Sequence, residues 1–328
     1  MIKTAVKTAD LPEKTTLEEA RTQARLVMTE TLRRGGALED VMGHLTESAG
    51  KGFRALLLLA SAQDAEGLVP RGAVIAAAAL EIMHLATLLH DDVIDDADTR
   101  RGQPSVQKKF GKKTAVISGD YLFCQCFLLL SDIAGPFKDK YLDAARYAAK
   151  ICEGELRQFQ HNWDLSLTPR EYLRIAAGKT SAMFAYAAYA GSVLGGRDEA
   201  EALAARRFGF YIGMAFQLDD DCLDYISDAT AIKKDAQNDL AEGVITLPLI
   251  FSLARDPGLR RLIDRETVSA VTVSRVIGRV SQLGGVEQTR DIAARYRAKA
   301  ERLLDSMPDS PRSRSLRMIL KELGGRKY

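Results

Sequence analysis

Two apolar helical runs in this chain each end in a triplet of aspartates. Residues 84–96 read HLATLLHDDVIDD and residues 214–225 read MAFQLDDDCLDY. Side chains three and four apart share a helix face, so Asp91, Asp92 and Asp95 converge on one helix. Asp220, Asp221 and Asp224 repeat the spacing on a second. Carboxylates at a helix C-terminus oppose the macrodipole, and three on one face repel each other. Such an arrangement gains no stability and invites a ligand that relieves it. Hard divalent cations do so. Carboxylates with few other ligands suit Mg²⁺, which keeps waters and bridges to phosphate oxygens. The pattern therefore predicts two long helices that end in facing carboxylate clusters.

Helical signals continue on both sides. Thr15-x-x-Glu18 reads as a capping box before an amphipathic run to about Arg34, which Gly35-Gly36 ends. Further helices are expected near 38–48, 53–65, 71–96, 113–132, 138–161, 169–177 and 180–194, then near 199–226, 243–254, 266–283, 286–305 and 311–323. No Asn-Gly or Asp-Gly pair lies between alternating strands, and β-branched runs are scarce. Abundant alanine favours helix and close helix packing. With 46% apolar residues a sizeable core is available. No linker or short repeat interrupts the chain, so residues 1–328 read as a single all-α domain.

Lys+Arg is 46 and Asp+Glu is 44, a balance that argues against a nucleic-acid binder. Cys124, Cys126, Cys152 and Cys222 fit no zinc spacing and read as buried free thiols of a reducing compartment. The N-terminal MIKTAVKTADLPEKTT has no apolar h-region, so no secretory signal is expected. The apolar run Ala73 to Leu89 is interrupted by Glu81 and His84 and is marginal for a bilayer. It reads as a buried helix of a soluble, cytoplasmic protein, not an integral membrane one.

Basic groups answer the aspartates. Arg100-Arg101 follow the first cluster closely, and Lys233-Lys234 follow the second. Gly50-Lys51-Gly52-Phe53-Arg54 is a glycine-flanked basic loop before an apolar helix, whose N-terminus favours an anion. Lys179-Thr180 sits at a helix junction. Together with two metal sites these groups suggest two diphosphates, one held on Mg²⁺ and one by basic side chains alone. The run Lys108, Lys109, Lys112 and Lys113 reads as a solvated loop edge.

From about Gly50 to Pro248 the chain resembles the trans-isoprenyl diphosphate synthases of the polyprenyl synthetase family. The motifs occur in order: Lys51-x-x-Arg54, Glu81 with His84, and LLHDDVIDDADTRRGQPS. They continue with Gly119-Asp120-Tyr121, Glu153-Gly154-Glu155, Lys179-Thr180, Phe216-Gln217 with the second aspartates, Asp239-Leu240 and Thr246-Leu247-Pro248. The resemblance implies an all-helical bundle around a deep central cavity, usually homodimeric. It implies Asp91, Asp95 and Asp220 as Mg²⁺ ligands, with Asp92, Asp221 and Asp224 acting directly or through water. It implies Arg100, Lys179 and Lys234 as contacts to an allylic diphosphate. Lys51, Arg54, His84 and Arg101 would hold isopentenyl diphosphate, and Thr180 and Gln217 would lie near the developing carbocation.

Three departures stand out. Gly52 replaces an arginine common in the family, Val244 replaces a lysine that contacts the allylic diphosphate, and Lys233 and Gln237 replace loop glycines. No metal ligand is lost. The chemistry implied is ionisation of the allylic diphosphate, attack by the isopentenyl double bond, and proton loss, with no side-chain nucleophile. A terpene cyclase is disfavoured by the aspartate-rich second motif. A subunit of a heteromeric synthase stays open as an alternative. Ala86 and Thr87, one turn before Asp91, are small, and Met83 follows a turn deeper. Farnesyl-forming relatives often carry aromatics there, so a tunnel and a long product of about six to ten units are expected, each helical turn rising about 5.4 Å.

Overall fold

The computed structural model describes residues 8–33, 38–47, 52–100, 102–133, 142–226, 239–263 and 269–324. Helix takes up 78% of the described residues, so the all-α class holds. Contacts divide the chain into two compact units. One comprises 1–144, 186–206 and 307–319, and the other 145–185, 207–306 and 320–328.

The first unit is organised around α4, Arg71–Ile94. Its stretch from Ala73 to Leu80 is buried on every side, as an all-round apolar helix must be. Helix α6, Lys112–Ser131, packs antiparallel along it. Gly119 lies directly against the His90 ring, and Gly72 against Ile133, so neither position has room for a side chain without displacement. Helices α1 (Leu17–Leu32), α2 (Glu39–Glu47), α3 (Phe53–Ser61) and the short α5 (Val106–Phe110) complete the N-terminal part. Arg71 pins the chain start to α4 by donating to the Ala9 and Leu11 carbonyls and pairing with Glu13.

The second unit contains α7 (Leu142–Gln160, from Ala145 on), α8 (Pro169–Ala176) and the C-terminal part of α10 (Glu199–Leu223). It also holds α11 (Leu247–Arg255), α12 (Ala270–Gln282) and α13 (Gly285–Asp305). Met214, Leu218 and Cys222 repeat every fourth residue on α10 and enter a core with Leu247, Leu249, Val276, Val280 and Ala293. Helix α9 (Ala182–Leu194) begins in this unit, and α14 (Pro311–Gly324) closes the chain.

The structure corrects several expectations. The capping box is Thr16 with Glu19, one residue later than expected, while the Thr15 side chain is buried and donates to Glu19; both threonines pair in a short ladder, Thr15 with Val69 and Thr16 with Leu68. That ladder joins β1, Lys14–Thr16, to β2, Leu68–Pro70. A second, β3 (Thr99–Arg100) with β4 (Gln103–Pro104), turns at Gly102, whose φ of 75° needs glycine. Helix α11 starts at Leu247 because Thr246 is its N-cap and Pro248 lies in its first turn. Of the cysteines, only Cys126 and Cys222 are buried, and Cys124 and Cys152 are exposed. Among the described residues two helices, Arg71–Ile94 and Lys112–Ser131, are long and apolar enough to cross a membrane. In the first, 72% of the apolar window is buried inside the protein, as in a core helix.

Candidate active site

The first aspartate cluster occupies the last turn of α4. Asp91 is half-buried, Asp92 is buried, and Asp95 is the exposed C-cap, its N–H donating to the Asp91 carbonyl at 2.8 Å. Asp92 Oδ1 accepts from Arg100 Nε at 2.5 Å. Burial pushes the Asp92 carboxyl up, and Arg100 pulls it back. Asp92 therefore orients Arg100, which keeps its terminal guanidinium fork for other partners.

The loop beyond is held by the run of lysines read from sequence as a solvated edge. Lys112 pairs with Asp96 at 2.7 Å and Lys108 with Asp98 at 2.9 Å. Ser105 Oγ and Gln107 Nε2 both donate to the Ala97 carbonyl, at 2.6 and 2.9 Å. Exposed ion pairs are weak singly, but here they act on one loop together with buried hydrogen bonds.

On α3, Arg54 Nη1 donates to His84 Nε2 at 3.1 Å, and the Ala55 N–H donates to Glu81 at 3.2 Å. Gly52 is the N-cap of α3 in the left-handed conformation, φ 66°, which the family's arginine would adopt only under strain. On α4 the residues Glu81, His84, Thr87, Leu88 and Asp91 form an accessible stripe, while Met83 and Ala86 are buried. His90 packs against α6, donating to the Val116 carbonyl at 3.1 Å. Lys51, Arg101, Lys233, Lys234 and Gln237 lie outside the described residues.

In the second unit, Lys179 and Thr180 lie on a π turn, Ala177–Ser181, between α8 and α9. Such turns recur at functional sites. Gly154 and Gly178 let α7 approach this turn so closely that a Cβ on Gly154 would lie 2.5 Å from the Lys179 nitrogen. The approach brings Glu155 to 2.9 Å from Lys179. Gly213 does the same for α10, where a Cβ would lie 2.8 Å from Ser181 Cα. One turn on, Gln217 accepts from Thr180 Oγ1 and donates to Asp221 Oδ1 at 2.8 Å. Tyr172 donates to the other Asp221 oxygen. Asp221 is thus the end of a chain of hydrogen bonds running from the π turn.

Asp220 is exposed, Asp221 is buried and Asp239 is half-buried. The Asp239 N–H donates to Asp224 at 3.1 Å. Burial, then the neighbouring carboxylates, push Asp221 up to about 7 and Asp224 up to about 6. Burial, then Asp224 and Asp221, also push Asp239 up, against the opposing pull of Lys179. An oxygen-only donor set whose charges are this crowded fits a hard cation. Among the described residues no group of three His, Cys, Asp or Glu side chains forms a metal site by itself. Tyr172 escaped sequence reasoning because an aromatic on the buried face of a helix reads as core. Glu155 and Asp239 were visible only as motif letters.

A cavity of about 560 Å³ lies elsewhere in the first unit, lined by Gly72, Ile75, Ile133 and Leu194 among others. Ile75 is sixteen residues before Asp91 on α4, about 24 Å along the helix, so this cavity is not the aspartate site.

Residues 36–279 match the polyprenyl synthetase family. The heptaprenyl diphosphate synthase component 2 of Geobacillus stearothermophilus is 32% identical over 295 residues, covering 89% of this chain and 91% of the relative. The all-trans-nonaprenyl-diphosphate synthase (geranyl-diphosphate specific) of Rhodobacter capsulatus is 34% identical, covering 83% of each chain. The crystal structure of a polyprenyl synthase from Caulobacter crescentus CB15, complexed with calcium and isoprenyl diphosphate, superposes with a TM-score of 0.86 at 32% identity. It covers 95% of this chain and 96% of that one. The chain belongs to the polyprenyl synthetase family and is a prenyltransferase.

Proposed function

We propose that this protein condenses isopentenyl diphosphate onto an allylic diphosphate, releasing diphosphate and building a trans-polyprenyl chain of about six to ten units, a range expected of long-chain family members. The observation that carries the reading is the second cluster: crowded carboxylates, Asp221 among them buried, with Lys179, Thr180 and Gln217 brought to their edge by three glycines. Heptaprenyl and nonaprenyl synthases among the relatives support the product range.

In this reading Asp91, Asp95 and Asp220 hold Mg²⁺, with Asp92, Asp221 and Asp224 acting on it directly or through water. Bound Mg²⁺ neutralises charge on the leaving diphosphate. Arg100, Lys179 and Lys234 hold the allylic diphosphate and add to that stabilisation. Lys51, Arg54, His84 and Arg101 hold isopentenyl diphosphate. Thr180 and Gln217 lie near the developing carbocation, and the departing diphosphate takes the final proton. The whole chain acts as one catalytic domain, since the family match runs through stretches of both units. It works in the cytoplasm as a homodimer. The exposed apolar residues Ile117 and Leu128 of α6 offer a face for a second copy.

Labelled isopentenyl diphosphate with farnesyl diphosphate and Mg²⁺, given to the purified chain alone, is expected to yield labelled polyprenyl diphosphate. Mass analysis then gives the length. A folded chain that incorporates nothing alone would favour the second reading, a subunit of a heteromeric synthase. The relative named component 2 is the observation on that side.

Val244 tests the departure from the family pattern. It is buried, and its N–H donates to the Asp239 carbonyl at 2.8 Å. Val244→Lys is expected to lower the KM for the allylic substrate by about three- to tenfold, the range of one added hydrogen bond. Trp163, the single tryptophan, has its ring against Gly243, and its backbone N–H donates to the Gly243 carbonyl at 2.7 Å. Its emission should report allylic binding directly. An unchanged KM and titration midpoint would mean that other cations already satisfy the diphosphate.

A further inference from the structure

Trp163 stands in the left-handed backbone conformation, at φ 65°, and among the described non-glycine residues only Asp96 shares a positive φ with it. A bulky residue adopts that conformation only where its surroundings force it, and such outliers gather at functional sites. The turn around Trp163 is closed by Asp164, which lies 2.9 Å from His161 Nδ1 and accepts from the Ser166 N–H at 2.9 Å. The Trp163 backbone N–H is fixed on the Gly243 carbonyl. The indole lies so close to Gly243, itself at φ 83°, that a Cβ there would fall 2.2 Å from Nε1. The ring therefore bears on the middle of the segment 239–246. The Gly243 and Val244 N–H groups donate to the Leu240 and Asp239 carbonyls, at 3.1 and 2.8 Å, and close the turn Asp239–Glu242. One end of the segment reaches the second cluster, where the Asp239 N–H donates to Asp224 at 3.1 Å. The other end, Thr246, has its hydroxyl 3.1 Å from that of Tyr225. All these residues belong to the second unit.

We infer that Trp163 is a positioning residue for the second aspartate cluster, its indole propping the 239–246 segment so that Asp239 meets Asp224. The inference rests on the proposed role of that cluster in holding Mg²⁺ and the allylic diphosphate. In this role Trp163 acts through the backbone of Gly243. Removing the indole leaves the Gly243 side of the segment without support, and the segment settles into the space, drawing the Asp239 N–H away from Asp224. A crowded carboxylate then loses a donor that fixes its direction. Arg54 and His84, proposed for isopentenyl diphosphate, brace each other in the first unit. Loss of the indole should therefore weaken the hold on metal and allylic diphosphate and spare the other substrate.

The test pairs binding with kinetics. Inorganic diphosphate is titrated into the protein in the presence of Mg²⁺, and the rise in melting temperature gives a binding midpoint. The KM of each substrate is measured in turn. Trp163→Gly removes the indole and suits the left-handed backbone, so the turn keeps its path. It is expected to raise the diphosphate midpoint and the allylic KM about three- to tenfold, the range of one hydrogen bond, with the isopentenyl KM within about twofold. Trp163→Phe keeps an aromatic face on Gly243 and is expected to recover most of that loss. Trp163→Asn also accepts the left-handed backbone without the ring, and serves if the glycine variant does not fold. A tryptophan that only supports the fold would lower the melting temperature without ligand and leave the midpoint and both KM values at the parent's, and that result overturns the inference. So does an equal rise in both KM values, or a phenylalanine variant no better than glycine. Asp220→Ala separates the two levels. If it raises the diphosphate midpoint and the Trp163 variants do not, only the positioning role fails. If Asp220→Ala leaves the midpoint unchanged, the assignment of the cluster fails and the inference falls with it.

Discussion

Asp91→Ala and Asp220→Ala each lose nearly all turnover, by at least about a hundredfold, the scale of losing one group that stabilises transition-state charge. Both variants stay folded. The two carboxylates lie at the C-terminal ends of α4 and α10, where negative charge opposes the helix dipole by about 0.3–1 kcal/mol. Alanine also has the highest helix propensity. Melting temperature and far-ultraviolet circular dichroism should match the parent within a few degrees. Asp221→Ala is the contrast. Its carboxyl is buried and accepts from Tyr172 and Gln217, so its removal strands the buried Tyr172 hydroxyl at about 1–3 kcal/mol and also takes a partner from half-buried Gln217. That variant should lose stability as well as activity. Parent-level activity in either Asp91→Ala or Asp220→Ala would sink the two-cluster mechanism. Equal destabilisation of all three variants would show that the clusters serve the fold.

Product length should fall to about three or four units when the tunnel beside α4 is closed. The structure ranks the positions that sequence left equal. Thr87 continues the accessible stripe of His84 and Asp91, its hydroxyl turned back to the His84 carbonyl at 2.8 Å. Ala86 is 0% exposed and Met83 is 1% exposed. Thr87→Phe is therefore the direct block, expected to shorten the product with little change in melting temperature. Ala86→Phe tests the adjoining wall. If the tunnel passes Ala86, the ring enters it and the product shortens. If Ala86 only packs against neighbours, the ring overfills the core, at a cost of about 1–3 kcal/mol, and the product is unchanged. Products sized by mass, with a melt on each variant, separate these outcomes. An unchanged product in an active Thr87→Phe enzyme would mean that the chain takes another route.

The all-α class was legible because helical periodicity, capping residues and glycine or proline breaks are local properties, written within a few residues of where they act. So were the ends of α4 and α10, where an apolar run meets aspartates and the helix can no longer bury its surface. The register of the first cap was not, since Thr15 and Thr16 offer equal side chains and only the packing that buries Thr15 and leaves Thr16 at the helix end tells them apart.

Sequence alone determined the chemistry available: two aspartate clusters, the basic groups that answer them, and an order of motifs that names a family. The tertiary structure decided what each group is free to do. Asp92 and Asp220 look alike as letters, yet one is buried against Arg100 and the other exposed. Lys108 and Lys112 read as solvated charges until packing set Asp98 and Asp96 beside them. The hydrogen-bond chain from Thr180 through Gln217 to Asp221 and Tyr172 exists because Gly213 lets two helices meet without a side chain between them. Burial and hydrogen-bond partners depend on residues distant in the chain, and one-dimensional spacing carries no record of them.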